Sequence, residues 1–269
     1  MLRTKRSKIN GVDDDGFIAE LAEGISKYFI NKYGEIDPEV IAVENGITFS
    51  YGDYGDCFDG MLEFKNGKFH IYINNYGFPK SDRTKFTFAH EIAHFYISEH
   101  ASALINGQAP AHSSFTGFKS DNIIERQADH FAANLLMPKN LLLRVYRRKR
   151  KFEFETIIEI MKKFGVSQLA ALYRVFILDL HPLLIVKSKD EKIIGHPMRN
   201  QGFYYKLNSK EKLPEDSLAY KYFKNNLKSI KTKKLWAMDW FDVDNNKEVY
   251  EHCIYYDSLN TVYSIIWTE

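Results

Sequence analysis

His90, Glu91 and His94 stand in the spacing H-E-x-x-H, within Phe86-Thr87-Phe88-Ala89-His90-Glu91-Ile92-Ala93-His94. On a helix, residues four apart leave the same face one turn apart, so both imidazoles can reach one point. Two imidazoles so placed can grip one Zn²⁺. Glu91 sits roughly 100° further round the helix, where it can take a proton from the attacking water without ligating the ion. The chemistry this suggests is metal-assisted hydrolysis. The same five-residue pattern also arises by chance, as an amphipathic helix with two satisfied core histidines. The decision therefore rests on what else the chain supplies.

A hydrolytic zinc site wants three protein ligands and an open position, and two candidates exist for the third. His100 stands at the distance from His94 found in H-E-x-x-H-x-x-G-x-x-H. That pattern needs glycine where the chain turns back to the metal, and here the residue is Ile97, whose β-branch resists φ > 0. If the helix simply continues, His100 leaves it roughly 240° round from His94. The favoured candidate is Glu125, in a second helical stretch from Ile123 to Pro138, with Asp121 as the expected N-cap and Pro138 as the stop. Glu125 and Asp129 share a face. Glu125 can complete the ligand set, and Asp129 can accept the free ring N–H of a ligating histidine and fix its tautomer. Ala128 and Ala132 are small enough to let the two helices lie close. Read alone, Glu125 and Asp129 are ordinary surface acids; the upstream motif tips them toward the metal.

The two stretches together, Phe86 to His94 followed by Glu125-x-x-Ala128-Asp129-x-Phe131-Ala132-Ala133-x-Leu135-Leu136-Met137-Pro138, resemble the ImmA/IrrE family of zinc metallopeptidases. The resemblance runs from Ile36 to Leu178. It implies zinc held by His90, His94 and Glu125, with Glu91 as general base. It also implies a bacterial, plasmid or phage origin and, as protein partner, a helix-turn-helix transcriptional repressor cut at one site. Asp129 stands where the family often has Asn; an Asp can orient a histidine equally well. The fold class expected is α+β. A mostly helical, zincin-like (gluzincin-type) domain with a small β-sheet spans 1–138, a helix-turn-helix-like hairpin 139–180, and a C-terminal antiparallel α+β domain 181–269.

Several elements must position these residues. Asp14 to Lys32 carries apolar residues at helical spacing, and Gly34 follows as a stop. Asp37-Pro38 opens a short helix that runs to Glu44. Ile47 to Ser50 reads as a strand. Asn66-Gly67 is a hairpin turn between Gly60–Phe64 and Lys68–Ile73. The second of these strands, read as an edge strand beside the metal, could hydrogen-bond an extended peptide. Ser81 or Asp82 caps the motif helix. Ala101 to Ser120 reads as a long loop, and Tyr96 and His112 are weaker candidates for stabilising an oxyanion.

After Pro138 comes a basic run, Arg144 to Lys151, best read as a solvated face. Glu155 to Val175 has helix-turn-helix texture: Gly165 ends one helix, Val166 plugs the turn and Ser167 caps the next. Its second helix offers only Gln168 and Arg174 among apolar residues, so a packed hairpin is favoured over a DNA reader. From His181 the texture turns to strands, at Leu183–Val186, Lys192–Ile194, Phe203–Tyr205, Leu235–Met238, Val249–Tyr256 and Thr261–Trp267, with one helix over Pro214–Lys228. A sensory or partner-docking role is the expectation for this part.

The net charge of +2 gives no global field for nucleic acid. Cys57 and Cys253 make no disulfide framework or zinc-ribbon spacing, which fits a reducing interior. The basic N-terminus lacks an apolar segment of signal-peptide type, and no run has the length of a membrane span. A cytoplasmic location is expected. Two other readings use the same residues. In one, the chain is a non-proteolytic, zinc-containing regulator that binds DNA or protein. In the other, it is a toxin–antitoxin component.

Overall fold

A capped helix beneath a small sheet carries the motif residues. The computed structural model describes residues 14–76, 81–108, 112–114, 122–147, 151–243 and 247–269. Among these, 14–147 with 159–170 form one compact unit, and 151–158 with 171–269 form the other. The class is α+β, as the sequence predicts.

The first unit opens with α1 (Asp14–Phe29) and α2 (Pro38–Glu44). The Asp37 side chain accepts from Glu39 N, and Pro38 occupies the first turn, where its missing N–H costs nothing. Four strands follow in sequence but not in spatial order: β1 (Thr48–Gly52), β2 (Gly60–Lys65), β3 (Lys68–Asn74) and, after two helices, β4 (His112–Ser114). Asn66 (φ 52°) and Gly67 (φ 77°) turn the β2–β3 hairpin in the left-handed region such a two-residue turn requires. The sheet order is β1-β3-β2-β4, with β1 parallel to β3 and the other pairs antiparallel. This corrects one expectation. β3 is not an edge strand, because the segment after Gly46 pairs along its outer side; the edges are β1 and β4. Phe69, Ile71 and Ile73 of β3 are buried, and His70 and Tyr72 alternate to the other face.

Helix α3 (Asp82–Tyr96) packs against β2 and β3, and α4 (Ser98–Ile105) follows at once. The expected loop over Ala101–Ser120 therefore begins as helix, since Ala101 and Leu104 are buried as its apolar face; residues 109–111 and 115–120 lie outside the described residues. Helix α5 (Ile123–Leu136) packs against both α1 and α3. Ala128 and Ala132 are wholly buried, and their size permits the close approach. The α5 cap is Asn122, whose side chain accepts from Ile124 N; Asp121, the expected cap, lies outside the described residues. Next come α6 (Lys139–Tyr146), α7 (Phe154–Phe164) and α8 (Gln168–Ile177). Gly165 has φ 59°, and Ser167 Oγ accepts from Ala170 N.

The second unit is an antiparallel sheet of β5 (Leu183–Lys189), β6 (Lys192–Ile193), β7 (Met198–Arg199), β8 (Lys233–Trp236), β9 (Glu248–Tyr256) and β10 (Thr261–Trp267). Its path is β6-β5-β10-β9-β8, with β7 pairing β5. Helix α9 (Leu218–Asn225) precedes β8, and α10 (Ala237–Trp240) follows it. Phe203–Tyr205 is not a strand. Phe203 and Tyr205 both pack on Phe241, at 5.4 and 5.3 Å between ring centres, so the apolar alternation is real. The backbone there makes only one bridge, Leu207 to Phe241. Ala237 and Met238, expected in a strand, start α10 instead.

Candidate metal centre

The motif lies on α3, which a capping box starts: Ser81 Oγ accepts from Thr84 N, and Thr84 Oγ1 accepts from Ser81 N at 2.8 Å. His90 and His94 are 1% and 0% exposed, and Glu91 is fully buried. The His90 and His94 Nε2 atoms face each other at 3.1 Å. Glu125, brought in by α5, places Oε2 3.3 Å from His90 Nε2 and Oε1 3.6 Å from His94 Nε2. One donor atom from each of the three residues lies within 4.8 Å of the others.

These spacings can be tested against a metal. Ligand atoms bonded at about 2.0 Å in a tetrahedron are about 3.3 Å apart. The observed 3.1, 3.3 and 3.6 Å straddle that value. The groups behind the rings support the same reading. Asp129 Oδ1 lies 2.9 Å from His90 Nδ1. A carboxylate accepts, so Nδ1 donates, and neutral His90 keeps its lone pair on Nε2, toward Glu125. Acceptors converge on one point, which is an electrostatic demand for a cation. Without a metal a proton meets it: burial alone would push the His90 pKa down, but hydrogen bonds to Asp129 and Glu125, with the charge of Glu91, carry it up to about 10.

His100 behaves in neither of the ways its spacing suggests. The chain does not continue as one helix past Tyr96, and it does not need φ > 0 to turn. Ile97 adopts φ −74°, ψ 110°, an extended conformation any residue tolerates, and α4 begins at the next residue. His100 is thereby folded back and buried, with its Nδ1 3.0 Å from His94 Nδ1, on the far side of that ring from Glu125. Its own Nε2 lies 3.1 Å from Gln127 Oε1. The spacing signalled that His100 could return to His94, but not to which nitrogen; Gln127 carried no signal at all.

Gly60, at the start of β2, was also missed. A Cβ there would stand 2.6 Å from Glu91 Oε1 and 2.6 Å from Thr87 Cγ2. Only a residue without a side chain lets this strand run directly over the Glu91 carboxylate. Tyr96 is turned elsewhere: its hydroxyl accepts from Asn45 Nδ2 at 2.8 Å, and its ring stacks on Phe131. The His112 side chain lies outside the described residues.

Residues 60–176 match a peptidase family model described as the IrrE N-terminal-like domain, a span that contains the motif helix and Glu125. Residues 60–176 carry a domain of the ImmA/IrrE family. That family is one of metallopeptidases, and the His90, His94 and Glu125 cluster within the matched span can hold a metal ion. A comparison with curated proteins finds no match. Among solved structures, a Mycobacterium tuberculosis transcriptional regulator is similar in fold, with a TM-score of 0.61 at 13% identity, over 94% of this chain and 76% of the regulator. No helix among the described residues is long and apolar enough to cross a membrane.

Proposed function

We propose that the chain is a zinc-dependent endopeptidase of gluzincin type that cuts a helix-turn-helix transcriptional repressor in the cytoplasm, and so derepresses genes of a mobile element or a stress response. The observation that carries the peptidase reading is the convergence of His90 Nε2, His94 Nε2 and the Glu125 carboxylate, with Glu91 buried one residue along the same helix. His90, His94 and Glu125 would hold the ion. When bound, zinc polarises the scissile carbonyl and eases deprotonation of the attacking water. Glu91 takes that water's proton and passes it to the leaving amine. Asp129 holds His90 by its Nδ1–H, and Gly60 leaves space beside the base. The domain limits proposed are 1–138 for the peptidase, 139–180 for the helical hairpin and 181–269 for a sensory or partner-docking part.

The repressor as substrate is taken from the family resemblance. Direct reading of DNA by α8 has little support from its surface, because Ala170 to Val175 are all buried, Arg174 included. The rival is a regulator without peptidase activity; the solved relative of like fold is named as a transcriptional regulator. Glu91→Gln separates the two. Under the proposal this variant retains about one zinc per chain, as a three-ligand site should, and no longer cleaves a co-expressed helix-turn-helix repressor that the wild type cleaves. Identical behaviour of both proteins in cells would establish the non-proteolytic reading.

A further inference from the structure

We infer that Gln127, acting through His100, is a positioning residue that fixes the ring tautomer of His94. This rests on the proposed metal site but can be tested apart from it. The relay has two self-consistent settings, and the amide oxygen facing His100 selects one. The Gln127 Oε1 atom, 3.1 Å from His100 Nε2, can only accept, so His100 Nε2 carries the hydrogen. Neutral His100 then has a lone pair on Nδ1. That atom lies 3.0 Å from His94 Nδ1, which must therefore donate. His94 is left with its lone pair on Nε2, the atom 3.1 Å from His90 Nε2 and 3.6 Å from Glu125 Oε1.

Turning the amide over reverses every step. An N–H donor on His100 Nε2 would put hydrogen on His100 Nδ1, make His94 Nδ1 the acceptor and set a hydrogen on His94 Nε2, inside the ligand cluster. One amide oxygen on α5 thus determines whether a ring on α3 can ligate. The two imidazoles are backed differently: His90 by a carboxylate, His94 by a second imidazole and a carboxamide. His94 and His100 are both buried, so water competes poorly for these hydrogen bonds.

The test uses the full chain and three substitutions at one position. Gln127→Glu keeps an acceptor, Gln127→Met removes it at similar length, and Gln127→Lys replaces it with a donor. Zinc affinity, measured by competition with a chromophoric chelator, should hold in Gln127→Glu. It should fall about tenfold or more in Gln127→Met, the usual effect of losing a hydrogen-bond partner behind a ligand, and further in Gln127→Lys. Ring ¹⁵N shifts of the metal-free wild type should show His94 protonated on Nδ1, and in Gln127→Lys on Nε2. The inference is overturned if Gln127→Met and Gln127→Lys bind zinc within twofold of wild type, or if wild-type His94 carries its hydrogen on Nε2. A wild type that takes up no zinc would sink the metal reading instead, and the ring shifts would still decide the relay.

Discussion

Binding of the proposed zinc should expel a proton, and the structure says from where. His90 is enclosed by Asp129 at 2.9 Å and Glu125 at 3.3 Å, which together hold its pKa at about 10 in the metal-free protein. At pH 7.5 such a group is protonated in more than about 99% of molecules. Ligation needs its lone pair, so each ion must displace about one proton from this ring. Apparent zinc affinity should then rise by about tenfold per pH unit between pH 7 and 9, and level off above pH 10. Stability of the metal-free protein follows the opposite course. The folded pKa lies above the unfolded 6.5, so the stabilisation is complete below pH 6.5 and is lost as pH rises through 10. Calorimetric titration at pH 7.5 in buffers of different ionisation enthalpy counts the protons directly. Asp129→Asn removes the strongest hydrogen bond to the His90 cation, so its proton count should fall well below that of the wild type. A wild-type count of zero, or an unchanged count in Asp129→Asn, would refute the reasoning.

Two further outcomes are expected. Gly60→Ala drives a methyl group to 2.6 Å from both Glu91 Oε1 and Thr87 Cγ2; it should cost about 1–3 kcal/mol as overpacking and abolish cleavage while the metal content persists, checked by thermal unfolding and metal analysis. In the second unit, Glu251 is fully buried and accepts from Leu218 N and Ser264 Oγ, both at 2.8 Å, and burial raises its pKa above 4.5. The folded state thus binds this proton more tightly than the unfolded one, and stability declines as pH climbs from 4.5 through the raised value. Glu251→Gln should remove that decline while keeping an acceptor for Leu218 N; Glu251→Leu should cost about 1–3 kcal/mol by orphaning that amide, seen in urea unfolding at pH 5 and pH 8.

What the sequence made legible was local. The cap at Ser81, the Asn66-Gly67 turn and the Asp37-Pro38 start are rules about neighbours, and each is present in the structure. Period alone placed His90 and His94 on one face, and a four-residue spacing placed Glu125 and Asp129 on another. What stayed hidden depends on partners distant in sequence. Nothing in Lys68–Asn74 says that β1 will cover its outer side. Phe203 and Tyr205 show strand-like alternation, but alternation reports burial and not whether a neighbouring backbone is available to pair. His100 is not among the residues that can hold the ion, as its spacing suggests, but its return to His94 was hidden because a chain can leave a helix through ordinary extended backbone without glycine. Gln127 is one polar residue on a half-buried helix until α4 is folded against it.

The closeness of β2 to α3 restricts how this lineage can drift. At position 60 any side chain would place its Cβ 2.6 Å from a carboxylate oxygen of the residue proposed as the base and 2.6 Å from Thr87 Cγ2. Shortening position 91 first would relieve the carboxylate contact, leave that of Thr87 and forfeit the proposed cleavage; enlarging position 60 first would displace the carboxylate. Either order passes through a form impaired in the proposed reaction, so the two positions constrain each other. A relative found with a bulky residue at the position of Gly60 should also lack the glutamate, and with it the group proposed to take a proton from the attacking water.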